Sequence, residues 1–325
     1  MTISVLIPVK NGAKYLGECL DSILVQTFKD FEVIIVNDFS TDNTVEILNS
    51  YKQRDLRIKW FQNHESGIIG ALRLALSKSS GNFITRMDAD DIMSKDKLAT
   101  MYHQLNEKGR RHVAVGLVKY FSDKALGEGY KNYESWLNRL SQTASNFDGM
   151  YKECAIPSPC WMLHREDLLE IGAFNSDRYP EDYDLAFRMK KANFQVIPAH
   201  KIVHYWRDYS QRTSRTDPRY EDNRFLDLKL DYFLDIDYNP NQILIIWGAG
   251  KKGKYIAKCL TEKQVPFQWV TNNPKKIGKS IYGVVIEEDI IISKLSNAQI
   301  IKAIAVKTKS FSSTRVETHT FFHFS

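Results

Sequence analysis

Short apolar runs alternate with amphipathic segments along the first 110 residues. The apolar runs are rich in β-branched residues, and the segments between them repeat apolar positions at helical spacing. The pattern predicts strands at 3–7, 31–36, 57–61 and 82–86, followed by helices at 15–24, 44–48, 68–76 and 97–105. Strands and helices that alternate in this way are typical of an α/β fold with a mostly parallel sheet and helices on both faces.

The pattern weakens through residue 146 and then becomes regular again. It predicts a strand at 113–120, a connecting helix near 130–137, a strand at 157–163 and helices at 165–171 and 181–192. Pro240 and the asparagines beside it interrupt both neighbouring patterns, as a linker does. We therefore predict two domains, at residues 1–238 and 241–325.

The second domain begins with a strand at 243–247, a GxGxxG turn at 248–253 and a helix through Leu260. This order is that of a dinucleotide-binding fingerprint. The next strand, however, ends at Thr271-Asn272-Asn273 without an acidic residue for a ribose, and only about 85 residues are available. We expect a degenerate half-Rossmann module and do not expect NAD binding.

The composition is that of an ordinary globular protein, with 43% hydrophobic and 26% charged residues. No apolar run reaches the ~18 residues that a membrane span needs, and the N-terminus lacks a signal-peptide pattern. The spacing of the four cysteines fits neither a zinc site nor a disulfide framework. We therefore predict a cytoplasmic protein without a transmembrane anchor and with reduced thiols.

The formal net charge of +6 is concentrated in the second domain. Residues 241–325 contain thirteen Lys or Arg and five Asp or Glu, a net charge of +8, so residues 1–240 carry −2. Such an excess favours a polyanionic partner such as RNA or an acidic membrane, and a merely solvated Lys-rich surface is the alternative. The candidate RNA-binding residues are Lys251, Lys252, Lys254, Lys275, Lys276 and Lys279.

Polar residues follow three of the predicted strands in the first domain. The three loops begin at Pro8, Asn37 and Asp88. Ligands of parallel α/β sheets bind beyond the carboxyl ends of the strands. We therefore expect these loops to meet at one edge of the sheet and to form the site.

Two acidic strings stand out. Asp88, Asp90 and Asp91 lie within four residues, and such close carboxylates are most easily tolerated where a cation or a ligand accepts their charge. The alternative is a solvated turn whose acids cap the next helix. Glu181 and Asp182 open a predicted helix, where the helix dipole accounts for one acid but not for a Pro-Glu-Asp-Tyr-Asp string.

These motifs resemble those of family 2 glycosyltransferases, whose nucleotide-sugar domain has the GT-A fold. Four strings stand in family order, at 5–11, 36–44, 88–91 and 180–184. The resemblance implies a UDP-sugar site built by Pro8, Val9, Asn11, Asn37, Asp38, Arg86, Asp88, Ala89, Arg207 and Arg212. Two positions depart from the family, since Asn37 stands where most members have Asp and Arg73 where many have Asn.

The resemblance also implies individual roles. Asp38 would bond the uracil, Asp88 the ribose, and Asp90 the Mn²⁺ or Mg²⁺ on the diphosphate, while Asp182 would be the catalytic base. A divalent cation offsets the charge that develops on the leaving diphosphate, and a carboxylate can take the acceptor's proton in one inverting displacement.

Several roles stay open in the sequence. Glu181 is the competing base. His204 either completes the metal shell or is structural. Arg207, Arg212 and Arg215 either bind anions or pair with Asp208, Asp217 and Glu221.

Three further features resemble a smaller group within the family. They are the pattern at 206–215, the module at 246–253 and the ending at 322–325. The group includes animal proteins named as β-1,3-N-acetylglucosaminyltransferase-like, which are understood to galactosylate the queuosine base of tRNA, and it shares Asn at position 37. The resemblance implies galactose as the donor sugar and tRNA as the acceptor.

Two other hypotheses remain. The runner-up acceptor is a lipid-linked saccharide of a surface-polysaccharide pathway, with hexose or N-acetylglucosamine as the sugar. A hypothesis from another class is a catalytically degenerate protein that binds a nucleotide or RNA, although the complete set of Asp38, Asp88, Asp90 and Asp182 argues against it. The sequence leaves the oligomeric state open.

Overall fold

A computed structural model of the chain describes residues 2–217, 225–304 and 319–324. Ser325, part of the predicted closing motif, lies outside these ranges. The chain divides into two compact units, one formed by Met1–Phe147 and Cys154–Thr216, the other by Asp148–Glu153 and Asp217–Ser325. Within the described ranges, no helix combines the length and the apolar character that crossing a membrane needs.

The first unit contains one large sheet with helices between its strands. Its strands are β1 (Ile3–Val9), β2 (Phe31–Asn37), β3 (Ile58–Gln62), β4 (Phe83–Arg86), β5 (Ile92–Met93), β6 (His112–Phe121), β7 (Trp161–His164) and β8 (Gln195–Arg207). Its helices are α1 (Leu16–Leu24), α2 (Thr44–Arg54), α3 (Ile68–Lys78), α4 (Lys97–Lys108), α5 (Glu128–Gln142), α6 (Arg165–Glu170), α7 (Glu181–Lys191) and the single-turn α8 (Thr213–Thr216), with a 3-10 helix at Asn146–Gly149.

The strand order of this sheet is β3-β2-β1-β4-β7-β6-β8-β5. The first four strands are parallel, β7 is antiparallel to β4 and β6, and β6 is parallel to β8. All residues of β2 are buried, as expected for a strand covered on both faces. The prediction of a mostly parallel α/β sheet is confirmed.

Two strands differ from their predictions. Strand β1 runs through Pro8 to Val9, because β4 pairs with β1 only as far as Leu6 and the missing N–H of Pro8 lies beyond that ladder. The segment at 204–207, predicted to supply a candidate metal ligand and an anion-binding arginine, is the end of the long strand β8. Its pairing with β6, which is remote in the chain, supplies the order that local pattern does not show.

The core of the first unit lies between the sheet and its helices. Leu16, Leu20 and Ile23 of α1 are fully buried in the same cluster as Val5 and Ile7 of β1. Burial of one such side chain stabilises the fold by about 1.5–3 kcal/mol. This packing holds the ends of β1, β2 and β4 in fixed positions, so that the loops after them begin from a rigid base.

The second unit contains a smaller sheet. Its strands are β9 (Ile243–Trp247), β10 (Gln268–Thr271), β11 (Ser280–Ile281), β12 (Val284–Glu288), β13 (Ala298–Lys302) and β14 (Thr320–His323), and its helices are α9 (Leu226–Ile236), α10 (Lys251–Glu262) and a 3-10 helix at Asp289–Lys294. The order is β11-β12-β10-β9-β13-β14, and all strands but β11 pair in parallel. The predicted strand–GxGxxG–helix unit is present, and the described sheet around it has the doubly wound order.

The division between the units differs from the predicted domain boundary at 238–241. Helix α9 belongs to the second unit, because it packs against α10 and because the ring centroid of Phe233 lies 4.8 Å from that of Phe322. Tyr151, in the short segment that also belongs to this unit, stacks on Phe324 at 5.3 Å. These contacts join residues that are distant in sequence, and a linker-like composition does not reveal them.

Candidate active site

The loops predicted to converge do begin at one edge of the first sheet. Val9 is in register with Asn37, and Leu6 with Arg86, so β1, β2 and β4 end side by side. Asn11 then joins two of the loops, since its N–H donates to Ser40 Oγ at 2.8 Å and its Oδ1 accepts from the N–H of Thr41 at 2.8 Å. Parallel pairing therefore places the three predicted loops next to one another.

Asn37 and Asp38 have different surroundings. Asn37 is buried, donates from Nδ2 to Gln62 Oε1 at 2.8 Å and accepts from the N–H of Ser40 at 3.2 Å. Asp38 is also buried and accepts from Asn63 Nδ2 at 2.8 Å and from the N–H of Gly67 at 3.0 Å. Asn37 thus acts within the fold, whereas a carboxylate with about four lone-pair positions leaves Asp38 capacity for a further donor.

The three carboxylates of the acidic turn have three different partners. Asp88 accepts from Nε and Nη2 of Arg86 at 3.2 and 3.0 Å. Asp90 accepts at Oδ2 from the hydroxyl of Tyr209 at 3.0 Å. Asp91 is fully buried and bonds to His204 and to the backbone of Arg207. Only Asp88 and Asp90 are therefore partly open to a ligand.

Burial and mutual repulsion raise the pKa values of two carboxyls in the acidic turn. Burial and the charges of Asp91 and Asp88 raise the pKa of Asp90 to about 6. Burial, with a contribution from Asp88, raises the pKa of Asp91 to about 8, although Arg212 opposes this shift. Negative charges held this close in a low dielectric favour the binding of a cation beside them.

Two carboxylates alone do not enclose a metal ion. Across residues 2–217, 225–304 and 319–324, no group of three or more His, Cys, Asp or Glu side chains is arranged to hold one. Asp88 and Asp90 nevertheless supply hard oxygen donors, and Mg²⁺ in particular is usually bound by one or two carboxylates together with substrate phosphates and water. The residues present fit a divalent ion that is bound jointly with a diphosphate.

The structure does not place His204 where a metal ligand is expected. The side chain is fully buried, with Nε2 2.9 Å from Asp91 Oδ2 and Nδ1 3.4 Å from Lys97 Nζ. Burial and the charge of Lys97 lower the pKa of His204 well below its ordinary value. Both ring nitrogens already have partners, so His204 lies behind the acidic turn instead of completing a metal shell.

For Arg207 the structure favours pairing with an acid over binding an anion, and the acid is Glu18. It is buried, donates from Nε to the carbonyl of Asp90 at 2.8 Å and from Nη2 to Glu18 at 2.6 Å, and lies over the ring of Tyr15. These contacts use Nε and Nη2 and make the guanidinium a support for the acidic turn. The contacts that hold it come from α1 and the turn itself, which sequence spacing does not show.

Arg212 remains near the acidic turn as a cation. Its guanidinium lies 4.9 Å from the ring centroid of Trp206. Burial opposes its charge, but Asp91, Tyr120, Asp90 and Asp88 outweigh that effect and raise the pKa of Arg212 above its ordinary value. Its positive charge is therefore held beside the acids. Arg215, in contrast, forms an ion pair with Asp208 at 2.7 Å.

The two candidate bases at the start of α7 are also distinguished. Glu181 is buried and accepts from Arg86 Nη1 at 2.7 Å. Asp182 is half-buried and accepts from the N–H of Tyr183 at 2.8 Å. Burial and the charge of Glu181 raise the pKa of Asp182 to about 7, against the opposing charge of Arg86. Glu181 is committed to an ion pair, whereas Asp182 keeps a titratable carboxyl near neutrality.

Sequence reasoning missed Lys97 and Tyr209. Lys97 is the first residue of α4 and is fully buried, which lysine rarely is. Tyr209 lies between Arg207 and Arg212 in the chain, and its hydroxyl contacts Asp90. Neither position carries a local signal, because the partners of both residues are far away in the chain.

The candidate RNA-binding lysines are near the GxGxxG turn of the second unit. Strand β10 pairs in parallel with β9, so the loops after both strands begin at one edge. Lys276 donates to the carbonyl of Ala249, which brings the two loops into contact. Four of the six are exposed, namely Lys251, Lys254, Lys275 and Lys279, whereas Lys252 and Lys276 are half-buried.

Comparison with known proteins identifies a family. The family model described as "Glycosyl transferase family 2" matches residues 4–172, just over half of the chain. The chain is 31% identical over 213 residues to the glycosyltransferase GlyA of Streptococcus pneumoniae serotype 4, a match that covers 63% of this chain and only 30% of GlyA.

Two further proteins resemble the chain. It is 29% identical over 219 residues to the GalNAc(5)-diNAcBac-PP-undecaprenol beta-1,3-glucosyltransferase of Campylobacter jejuni, a match that covers 64% of this chain and 66% of that protein. The crystal structure of residues 1–349 of S. aureus TarS with UDP-GlcNAc has a TM-score of 0.54 at 21% identity, covering 80% of this chain and 72% of that one. The last likeness shows the fold.

Proposed function

Because the chain belongs to glycosyltransferase family 2, we propose that its first unit transfers a hexose from a UDP-sugar to an acceptor hydroxyl with inversion. The observation that carries the proposal is the arrangement of Asp182. Arg86 joins the start of α7 to the acidic turn through Glu181 at 2.7 Å and Asp88 at 3.0 Å, so this half-buried carboxyl lies near the turn. Burial and the charge of Glu181 raise the pKa of Asp182 to about 7, which suits a base near neutral pH.

In this reaction Asp182 is the general base. As the acceptor oxygen bonds to the anomeric carbon, its hydroxyl becomes acidic, and Asp182 accepts the proton. The bond to the diphosphate breaks in the same displacement, so the anomeric configuration inverts. Glu181 does not compete for this role, because its carboxylate is held by Arg86 at 2.7 Å in a buried ion pair.

We assign the leaving-group side to Asp88, Asp90 and Arg212. Asp90, with Asp88, would hold Mn²⁺ or Mg²⁺ together with the diphosphate. A divalent ion bound there supplies Lewis-acid stabilisation of the leaving diphosphate. Arg212 adds a permanent positive charge on the same side, since its pKa is raised by the surrounding acids.

The nucleotide is assigned to the loops after β1 and β2. Asp38 accepts the donor N–H of the uracil, and Asp88 bonds the ribose. Pro8, Val9, Asn11 and Ala89 line the same edge of the sheet. Asn37 supports this pocket indirectly, because its amide is used by Gln62 and Ser40.

For the acceptor we propose the queuosine base of tRNA, with galactose as the sugar. The support is the net charge of +8 on residues 241–325, together with the contact of the two lysine-bearing loops of the second unit. The lysines of such a surface bind a polyanion by neutralising the charges of its phosphates. The exposed lysines are the proposed phosphate contacts.

A second candidate is transfer to a lipid-linked saccharide. It is favoured by the similarity to a relative whose name specifies a diphospho-undecaprenol-linked acceptor. A protein that only binds a nucleotide or RNA is the third candidate, and the retained Asp90 and Asp182 argue against it.

One experiment separates the three candidates. The full chain is incubated with Mn²⁺ and UDP-galactose, UDP-glucose or UDP-N-acetylglucosamine, and transfer is measured to queuosine-containing tRNA, to the same tRNA without queuosine, and to a lipid-linked saccharide. Labelling of only the first tRNA supports our proposal. Labelling of the lipid-linked saccharide alone favours the second candidate, and UDP binding without any transfer or UDP release favours the third.

A further inference from the structure

A buried chain of polar groups runs behind the acidic turn. Lys97 Nζ donates to the carbonyl of Pro159 at 2.5 Å and lies 3.4 Å from Nδ1 of His204. The other ring nitrogen, Nε2, is 2.9 Å from Asp91 Oδ2. Lys97, His204 and Asp91 are each fully buried, so solvent does not take part in these contacts.

The chemistry of Lys97 sets the donor and acceptor roles in this whole series of hydrogen bonds. An ammonium group has three donors and no acceptor, so Nδ1 of His204 must accept. A neutral imidazole then carries its proton on Nε2 and donates it to Asp91. Burial keeps His204 neutral by lowering its pKa. With Lys97 charged and Asp91 ionised, each of the three side chains therefore has one possible orientation.

Asp91 is fixed from both sides by this arrangement. Its Oδ2 accepts from His204, and its Oδ1 accepts from the backbone N–H of Arg207 at 2.8 Å. The backbone N–H of Asp91 in turn donates to the carbonyl of Asp88 at 3.2 Å and closes the turn. The third carboxylate of the motif is thus turned into the protein, while Asp88 and Asp90 remain partly accessible.

We propose that Lys97 and His204 are positioning residues that lock Asp91 inward and thereby hold Asp88 and Asp90 in the geometry that binds the donor's diphosphate. The inference rests on the proposed function only for its last step. The direction of the hydrogen bonds is a property of the folded chain, whatever it binds. The direction of the hydrogen bonds is tested first, and its effect on donor binding is tested second.

The first test is the tautomer of His204. In the full chain labelled with ¹⁵N-histidine, the ring-nitrogen shifts and couplings of His204, assigned with His204→Gln, report which nitrogen carries the proton. We expect a neutral ring protonated at Nε2. A ring protonated at Nδ1, or a charged ring, would overturn the proposal.

The second test is a double-mutant cycle between the two ends of the chain. Asp91→Asn can turn a donor amide toward the N–H of His204, and Lys97→Met removes the charge that prevents the ring from changing its tautomer. Each single substitution should weaken Mn²⁺-dependent UDP binding by about tenfold or more, because it leaves a buried polar group unsatisfied. The double variant should bind better than the product of the two losses predicts. Strictly independent losses would contradict the coupling.

A matched pair of variants at His204 separates polarity from packing. In His204→Gln the amide oxygen can accept from Lys97 and the amide nitrogen can donate to Asp91, whereas His204→Leu can do neither. The glutamine variant should retain at least about fivefold tighter UDP binding than the leucine variant. Equal losses would show that His204 acts only by filling space.

The failure of this inference can be distinguished from the failure of the proposed function. If the wild-type protein binds no UDP with Mn²⁺, the proposed donor site is wrong. The tautomer of His204, and the same mutant cycle measured by melting temperature, then decide whether the hydrogen bonds among Lys97, His204 and Asp91 exist. Coupled losses in melting temperature support this series of hydrogen bonds, and additive losses contradict it.

Discussion

Arg86 connects the acidic turn to the helix that carries the candidate base. Its Nη1 lies 2.7 Å from Glu181 Oε1, and its Nη2 lies 3.0 Å from Asp88 Oδ1. The side chains of Arg86 and Glu181 are 6% and 7% exposed, so this ion pair is shielded from water. One guanidinium therefore fixes the start of α7 relative to the acidic turn.

Replacing Arg86 should strongly destabilise the fold. Arg86→Met leaves the carboxylate of Glu181 buried and unpaired, and breaking such a pair costs about 3–5 kcal/mol in the free energy of unfolding. Adding Glu181→Gln should recover part of the loss. Urea unfolding measures both effects, with Lys131→Met as a control, since the pair of Lys131 with Glu128 is exposed and contributes less than about 1 kcal/mol. A loss below about 1 kcal/mol for Arg86→Met would contradict this account.

Asp182→Asn should separate binding from catalysis. The amide preserves the shape of the side chain but cannot accept a proton, so kcat should fall by about 10²–10⁴-fold while the Kd for UDP stays within about twofold. Steady-state kinetics and calorimetry measure the two constants. Asp123→Asn, at an exposed position outside the site, is the control and should retain full turnover. Unchanged turnover in Asp182→Asn would assign the base elsewhere.

The pH profile should report the same carboxyl. Because only ionised Asp182 accepts a proton, and burial with the charge of Glu181 raises its pKa to about 7, kcat/KM should rise with pH with a midpoint near pH 7. Glu181→Gln removes one of the charges that raise the pKa of Asp182, so the midpoint should move to lower pH. A profile that falls with pH across this range would be incompatible with Asp182 as base.

The metal proposal is tested by Asp90→Ala. The substitution removes a hard oxygen ligand, so Mn²⁺-dependent UDP binding should weaken by about 10–100-fold, measured by calorimetry with and without the ion. Tyr209→Phe is the matched control, because it removes only the hydroxyl that contacts Asp90 at 3.0 Å. Its effect should stay within about threefold. Wild-type UDP binding that ignores Mn²⁺ and Mg²⁺ would remove the metal from the mechanism.

Charge reversal in the second unit tests the tRNA acceptor. Changing Lys251, Lys254, Lys275 and Lys279 to Glu should abolish tRNA binding, and the wild-type affinity should fall with salt by about one log–log unit per phosphate contacted. UDP release without acceptor should persist. Lys119→Glu with Lys124→Glu, in the first unit, is the control. Substitution is preferable to deletion of residues 241–325, since the deletion would strip α9 of its packing against α10. Binding that does not respond to salt would contradict the proposal.

Much of the architecture was predictable because it follows from the local order of apolar and polar residues. The helices at 68–78 and 97–108 begin where their apolar periodicity begins, and the strand at 243–247 matches its prediction. The convergence of the loops at Pro8, Asn37 and Asp88 followed from a general property of parallel sheets. The long strand β8 was missed, because its register depends on β6 and not on its own alternation.

The sequence by itself determined which residue types stand at the end of each strand, since chain order and apolar periodicity set the elements and their loops. It also determined the acidic turn and the basic charge of residues 241–325. Only the tertiary structure decided how those residues are used. Arg86 and Glu181 are 95 residues apart, and Asp91 and His204 are 113 apart. Burial and such distant contacts decide which acid is buried in an ion pair, which histidine is turned inward and which carboxyl titrates near neutrality. No local pattern encodes these outcomes.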